Sequence, residues 1–449
     1  MQIKRSYFSS IHDWCPTCSE LTIPVINEAG QHVPMGIGDE ILSGHLLVVG
    51  GPGTGKTNFI LQLARECRRK YPDARFVFLD VKGDFLPLYQ DSDMLCSFYP
   101  RQGEYTYFKW NVISECLMSE HPEDELKEIV AKWFKEKIEQ SGGNRFFPEA
   151  AKQIAEAYFL TVLRRARPGF VPTHQEIFHQ LRRMNIDQMR ARLGLEDDLA
   201  GALFNIAGTG GSALSNQAAG VMAEFNQFIS SFFVGMLAGD GYDTIDGFLN
   251  GPGGRALFLE YDMKREETAN ILFRTLLDIL IKNKLSTESE RGKVFLFLDE
   301  FPTLKGDYSI LNCLHVGREH GMRVIGGVQS KEQIYSICPG QSMEHTGNSI
   351  IGAFSSMVAF HPNDAQTTSY IQEKIGEDNI TYMQFGLSRY EAPHMVMQRE
   401  PLVSSRDINS LRLGEAYVKM REYSHQKVKF EVFNGGRKHD WKRTCNNYQ

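Results

Sequence analysis

Leu46-Leu47-Val48-Val49-Gly50-Gly51-Pro52-Gly53-Thr54-Gly55-Lys56-Thr57 is the stretch on which the fold turns. Four apolar residues read as a buried strand, and the Gly/Pro run behind them has to turn sharply. From Asn58 to Arg69 the residues Phe59, Ile60, Leu63, Ala64 and Cys67 recur at helical spacing, which predicts an amphipathic helix. Gly50 to Thr57 fits G-x-x-x-x-G-K-[ST]. Glycines let a backbone wrap a pyrophosphate with its N–H groups pointing inward, and the helix N-terminus adds positive potential. The nucleotide-binding candidates are therefore Gly50, Gly51, Pro52, Gly53, Thr54, Gly55, Lys56, Thr57 and Asn58. Lys56 is expected to reach the β/γ-phosphates of a nucleoside triphosphate and Thr57 to ligate Mg²⁺. The bland alternative, a chance glycine turn, has against it the apolar strand before and the amphipathic helix after.

A second apolar run, Val294-Phe295-Leu296-Phe297-Leu298, ends in Asp299-Glu300. Adjacent acids at a strand end mean little alone, but they complement an upstream phosphate loop. Asp299 is expected to hold the Mg²⁺ shell and Glu300 to orient or deprotonate an attacking water. Residues 322–329 read as the next strand, ending in Gln329, an amide placed to sense the γ-phosphate or that water. Arg318, between these strands, is a candidate charge-neutralising finger; a surface salt bridge is the alternative. A further strand, 74–80, ends in Asp80 and is followed by Val81-Lys82-Gly83-Asp84. Ligands of parallel sheets sit at the strands' carboxyl ends, so Asp80 and Lys82 are either near the nucleotide or part of an ordinary turn.

The 449 residues exceed one simple core, and a net charge of −6 gives no whole-chain basic signal. Any nucleic-acid contact must come from a local patch. Eight cysteines with one C-x-x-C pair make no disulfide framework, and no apolar run approaches a spanning helix of roughly 20 residues, so a reducing cytoplasm is expected. His12, Cys15 and Cys18 could supply three zinc ligands with His32 as a fourth, against free cysteines in an ordered arm; no zinc site is assigned.

Strand signals vanish between 119 and 239, where helical patterns occupy 126–139, 148–165, 174–183 and 217–233. The expected organisation is an arm with a small β element at 1–44, an α/β nucleotide-binding domain at 45–118 and 240–433 with a central, mostly parallel sheet, an inserted all-α domain at 119–239, and a polar tail at 434–449. Between Leu160 and Gly194 the chain carries Arg164, Arg165, Arg167, Arg182, Arg183, Arg190 and Arg192, opposed by only Glu176 and Asp187. Such a patch could track phosphates, or it could be a solvated face or subunit contact. Gly208 to Gly211, followed by Ser212 and Ser215, reads as a flexible polar loop at a pore, a hinge or the surface.

These pieces together resemble the type IV secretion coupling proteins, the TraG/TraD group, within the wider clan of HerA/FtsK-like pumping ATPases. The resemblance runs over roughly 21–433. It rests on the phosphate loop with His45 before it, Asp80-Val81-Lys82-Gly83, the helical insertion, Leu298-Asp299-Glu300-Phe301-Pro302-Thr303-Leu304, Arg318 with Gly321, Gln329, Phe360-His361-Pro362-Asn363-Asp364, Arg399-Glu400-Pro401-Leu402 and Gly414-Glu415-Ala416. It implies a RecA-like sheet carrying an all-α domain, ATP and Mg²⁺ as cofactors, a homo-hexameric ring with DNA in its channel, and nucleotides at subunit interfaces. It gives Lys56, Thr57, Asp299, Glu300, Arg318 and Gln329 the Walker A, Walker B, arginine-finger and glutamine-sensor roles. The implied activity is ATP-driven DNA recruitment or pumping for conjugation-type secretion, with a relaxase and a channel as partners. Relatives usually begin with two transmembrane helices, and 1–44 holds none, so attachment to a membrane is expected to need a separate partner. Two other readings stay open: a DNA-processing or packaging motor outside secretion, and an ATP-binding receptor that does not translocate.

Overall fold

The structure is a computed structural model of the chain and describes residues 21–100, 105–167, 169–184, 186–194, 196, 198–199, 201–202, 216–232, 240–286, 292–303, 309–336, 343–384, 394–421 and 423–433. His12, Cys15, Cys18, Leu304, the 208–215 loop and the 434–449 tail lie outside the described residues. The chain divides into two compact units, 1–89 with 292–449, and 90–291.

The first unit contains β1 (Leu21–Asn27), β2 (His32–Ile37), β3 (Leu46–Val49), β4 (Arg75–Asp80), β7 (Val294–Leu298), β8 (Met322–Val328), β9 (Ser356–Ala359), β10 (Glu377–Gln384), β11 (His394–Pro401), β12 (Glu415–Met420) and β13 (Gln426–Phe430). Its main sheet runs β2-β1-β13-β12-β9-β3-β8-β7-β4. The half from β4 to β9 is parallel. Every residue of β3, β7 and β8 is buried, as expected of strands covered on both faces. The other flank is antiparallel. The small β element foreseen near Leu21 is a hairpin turning at Gly30 that extends this flank.

Register brings the carboxyl ends of the parallel strands to one edge. Val49 is level with Val328 and Ala359, and Leu298 with Gly326 and Leu79. The strand β8 lies between the phosphate-loop strand β3 and the acid-bearing strand β7. The amphipathic helix forms as Lys56–Lys70 and buries Phe59, Ile60, Leu63, Ala64 and Cys67, the face read from spacing. Outside the main sheet, β10 and β11 form an antiparallel hairpin that the sequence reading did not foresee.

The second unit pairs β5 (Met94–Cys96) and β6 (Ala256–Glu260) in parallel. Its helices include Pro122–Gln140, Phe146–Arg165, His174–Arg183, Ile186–Leu193, Asn216–Phe232 and Glu266–Ser286. Trp133 is their core anchor, with its ring centroid 5.5 Å from Phe159 and 4.6 Å from Phe232. No helix among the described residues is long and apolar enough to cross a membrane.

Candidate functional site

The loop from Gly50 to Gly55 is held from three directions. Gly50 N–H donates to the Val328 carbonyl at 3.2 Å, and Gly51 N–H to the His361 carbonyl at 2.7 Å. Gly414 N–H donates to the Thr54 carbonyl at 3.0 Å, and the Thr54 hydroxyl donates to the Gly51 carbonyl at 2.8 Å. The helix then starts on Gly55, whose φ of 119° suits a residue without Cβ, and which brings no side chain to cap the first-turn N–H groups. Those donors and the loop amides make a cradle for an anion.

Lys56 is buried, and its ammonium donates to the Gly50 and Gly51 carbonyls at 2.6 and 3.0 Å. Burial holds its pKa below the ordinary lysine value, against the pull of Asp299 and Glu300. The Thr57 hydroxyl donates to Asp299 Oδ2 at 2.8 Å, while Asp299 Oδ1 is buried with no hydrogen-bond partner. Burial raises the Asp299 pKa; the Thr57 hydrogen bond and the Lys56 charge oppose the rise. A hydroxyl facing a carboxylate with one oxygen left over is a donor set that fits a hydrated Mg²⁺.

Glu300 is fixed by two amides. Gln329 Nε2 donates to its Oε2 at 2.9 Å, and Gln333 Nε2 to its Oε1 at 3.3 Å. Gln333 also accepts the Gln329 backbone N–H at 2.8 Å, which closes a triangle. Sequence reasoning missed Gln333. The available signal was its place four residues beyond Gln329, at the start of the helix Lys331–Ser336.

Asp80 belongs to its turn. Its carboxylate accepts the backbone N–H groups of Asp84 at 2.9 Å and Phe85 at 3.0 Å, and burial raises its pKa to about 7. The turn nevertheless reaches the site electrostatically, since the Asp84 charge pushes Asp299 up and the Lys82 charge pushes Lys56 down. Asn58 spends its side chain on the stretch after β13, donating to the Glu431 carbonyl at 2.8 Å and accepting from Phe433 N–H at 2.6 Å. Arg318 is not with the others. It is exposed, makes no ion pair with a described residue, and precedes β8, whereas Gln329 follows it. Seven residues of strand put Arg318 about 20 Å from Gln329, at the opposite edge of the sheet.

Residues 30–431 match the family model for the type IV secretion-system coupling protein DNA-binding domain. The chain belongs to that family. No curated protein matches it. Among solved structures, the unbound bacterial conjugative coupling protein TrwBdeltaN70 is 21% identical, with a TM-score of 0.70 over 94% of this chain and 91% of that one. TrwB in complex with ADP and Mg²⁺ is 20% identical, with a TM-score of 0.68 over 94% and 90%. VirB4 of Thermoanaerobacter pseudethanolicus is 12% identical, with a TM-score of 0.53 over 93% and 97%. These likenesses show the fold. In this coupling-protein chain three of the segments that carried the resemblance meet at the phosphate loop: the His361 segment and the Gly414 turn each hydrogen-bond it, and Gln329 joins Glu300 beside it.

Proposed function

We propose that this chain is an ATP-driven DNA translocase that recruits or pumps DNA for conjugation-type secretion, working as a homo-hexameric ring at the cytoplasmic side of a membrane-anchored channel and receiving DNA from a relaxase. ATP and Mg²⁺ are the assigned cofactors. Solved TrwB complexes contain ADP with Mg²⁺ or a non-hydrolysable ATP analogue, and the Thr57–Asp299 pair fits such a metal. Held by Thr57 and Asp299, Mg²⁺ would supply positive charge against the charge that develops on the phosphates.

The remaining work falls to side chains. The loop amides from Gly50 to Gly55 orient the phosphates, and Lys56 leaves its own loop's carbonyls to meet them. Thr57 and Asp299 would hold the metal. Glu300 aligns a water and takes its proton, with Gln329 fixing the carboxylate's direction. Arg318 acts on the next subunit's nucleotide, because about 20 Å of strand removes it from its own. Each hydrolysis then alters one subunit's fit against its neighbour, and that change moves the DNA.

The observation that carries the reading is the Glu300–Gln329 contact beside the Thr57–Asp299 pair, an arrangement suited to activating water and unnecessary for a receptor that only binds. The test is ATPase activity with and without DNA, in wild type and Glu300→Gln. DNA-stimulated turnover that the substitution lowers by about 10²-fold or more supports a motor. Nucleotide binding with no turnover under any DNA condition refutes it.

A further inference from the structure

The turn that carries Arg318 is tied down through its backbone. Gly317 N–H donates to the Cys313 carbonyl at 2.9 Å, Met322 N–H to the Gly317 carbonyl at 2.8 Å, and Val294 N–H to the Gly321 carbonyl at 3.1 Å. The Arg318 carbonyl takes two donors, Gly321 N–H at 3.2 Å and the Arg323 Nη1 at 3.2 Å. The Arg318 side chain is exposed, so its reach is set by where this turn puts its Cα.

Arg323 is the second residue of β8 and is buried. Its Nε and Nη2 form a fork onto the two oxygens of Asp39, at 3.2 and 3.1 Å, while Nη1 also donates to the Met322 carbonyl at 2.9 Å. Asp39 lies on the short helix Asp39–Ser43, which leads into β3, and it also meets Lys293 Nζ at 3.0 Å, just before β7. Burial alone would raise the Asp39 pKa; the hydrogen bonds and charges of Arg323 and Lys293 outweigh it and hold the carboxyl below its ordinary value. Beside them His45 accepts Val324 N–H on Nδ1 at 3.1 Å, and burial together with the Arg323 charge lowers its pKa to about 4, which keeps that nitrogen an acceptor. A buried ion pair contributes little net stability, because desolvation cancels much of the attraction. What a forked guanidinium supplies is direction. Here it links the Arg318 backbone to the element that leads into the phosphate-loop strand.

We propose that Arg323, clamped by Asp39, is the positioning residue for Arg318, fixing the turn from which the finger reaches the next subunit's nucleotide. The inference rests on the finger role given to Arg318 and adds the group that aims it. Arg323 itself touches no phosphate and acts through Arg318 alone.

The test is a double-substitution cycle on ATP turnover of the full-length chain with DNA present, followed radiometrically so that slow variants stay measurable. The variants are Arg323→Lys, Arg318→Ala and the two combined. Lysine keeps a charge for Asp39 but has no planar fork to span Asp39 and the Arg318 carbonyl. A catalytic group misplaced by about 1 Å can cost about 10²-fold, so Arg323→Lys should lower kcat by about 10-fold or more and leave ATP affinity unchanged. Added to Arg318→Ala it should lower kcat no further, because a residue that acts through another has nothing left to act on. Mixed with Glu300→Gln chains, which bring an intact finger, Arg323→Lys chains should exceed the sum of the two; mixed with Arg318→Ala chains they should not. Asp39→Asn keeps one acceptor oxygen on a partly exposed side chain and should repeat the pattern with a smaller loss, which serves if Arg323→Lys lowers the thermal midpoint. Wild-type kcat in both Arg323→Lys and Asp39→Asn, or losses that multiply with that of Arg318→Ala, make the pair a structural strut and overturn the positioning role alone. Arg318→Ala at the wild-type rate, or a wild type without turnover, overturns the finger reading and this inference with it.

Discussion

Gln329 donates its side-chain amide to Oε2 of Glu300 across 2.9 Å, joining the residue that follows β8 to the second residue after β7. The contact exists because β8 is inserted between β3 and β7, so its carboxyl end lies between the phosphate loop and the acids. A glutamate on a loop would otherwise sample several rotamers. Here its direction is set by a neighbouring strand.

Gln333 completes that restraint, and its removal separates positioning from binding. In Gln333→Ala the Glu300 Oε1 and the Gln329 N–H both lose a partner. Since a hydrogen bond contributes about 1 kcal/mol and the one to the Glu300 carboxylate is long at 3.3 Å, kcat should fall by roughly 5- to 10-fold. KM for ATP should hold, because no phosphate-binding donor changes. Gln333→Glu keeps the acceptor for Gln329 N–H but sets a like charge against Glu300, and should be worse than alanine. A KM change with kcat intact would assign Gln333 to nucleotide binding instead.

Arg318 and Glu300 stand at opposite edges of one sheet, so each defect should be rescued by the other's carrier. Arg318→Ala and Glu300→Gln chains are each expected to be nearly inactive alone, arginine fingers contributing about 10³–10⁵ in known systems. Mixed, they should recover turnover at those interfaces where an intact Glu300 meets an intact Arg318. Activity that stays at the sum of the two single variants would place the finger elsewhere.

Asp80 makes a pH signature. Burial lifts its carboxyl from the ordinary range to about 7. Through that window the native chain holds a proton that the unfolded chain has released, so stability falls as pH rises, by at most about 1.4 kcal/mol per unit, and levels off above the native pKa. Glu115, lifted to about 7 by burial in the helical unit, acts in the same direction. Asp80→Asn removes the Asp80 share. Its urea midpoint relative to wild type should therefore climb between about pH 5 and 7. A constant difference across that range would mean Asp80 titrates normally.

The strands that carry the candidate site were legible because they are short continuous apolar runs ending in polar residues. Leu46 to Val49 and Val294 to Leu298 are wholly buried, and burial on both faces is what such runs encode. Strand order was not legible, since pairing β8 between β3 and β7 is a non-local choice, and with it went the placement of Gln333. Asp80 remained open because one sequence serves either a ligand contact or a turn; only its hydrogen bonds to Asp84 and Phe85 N–H distinguish them. The β10–β11 hairpin escaped notice because Met395, Met397, Gln398, Arg399 and Glu400 are all exposed, so β11 carries no alternating pattern.

Gly327 offers a last test of how tightly the site depends on strand packing. A Cβ there would lie 2.2 Å from the Asp299 carbonyl oxygen and 2.9 Å from its carbon, both backbone atoms of the adjacent strand end. Backbone cannot swing aside as a side chain can, so Gly327→Ala must push Asp299 away from its neighbour. The adjoining Gly326 differs, because its nearest atom is Phe354 Cζ at 3.2 Å, the tip of a ring. Gly327→Ala is expected to lower stability by about 1–3 kcal/mol and to weaken Mg²⁺-dependent nucleotide binding by displacing Asp299 from the Thr57 hydroxyl. Gly326→Ala should cost less and leave the Mg²⁺ titration where it was. Urea denaturation and a Mg²⁺ titration of ATP binding measure both effects. Equal behaviour of the two variants would show that the Asp299 backbone yields, and that the metal-binding geometry does not depend on this approach.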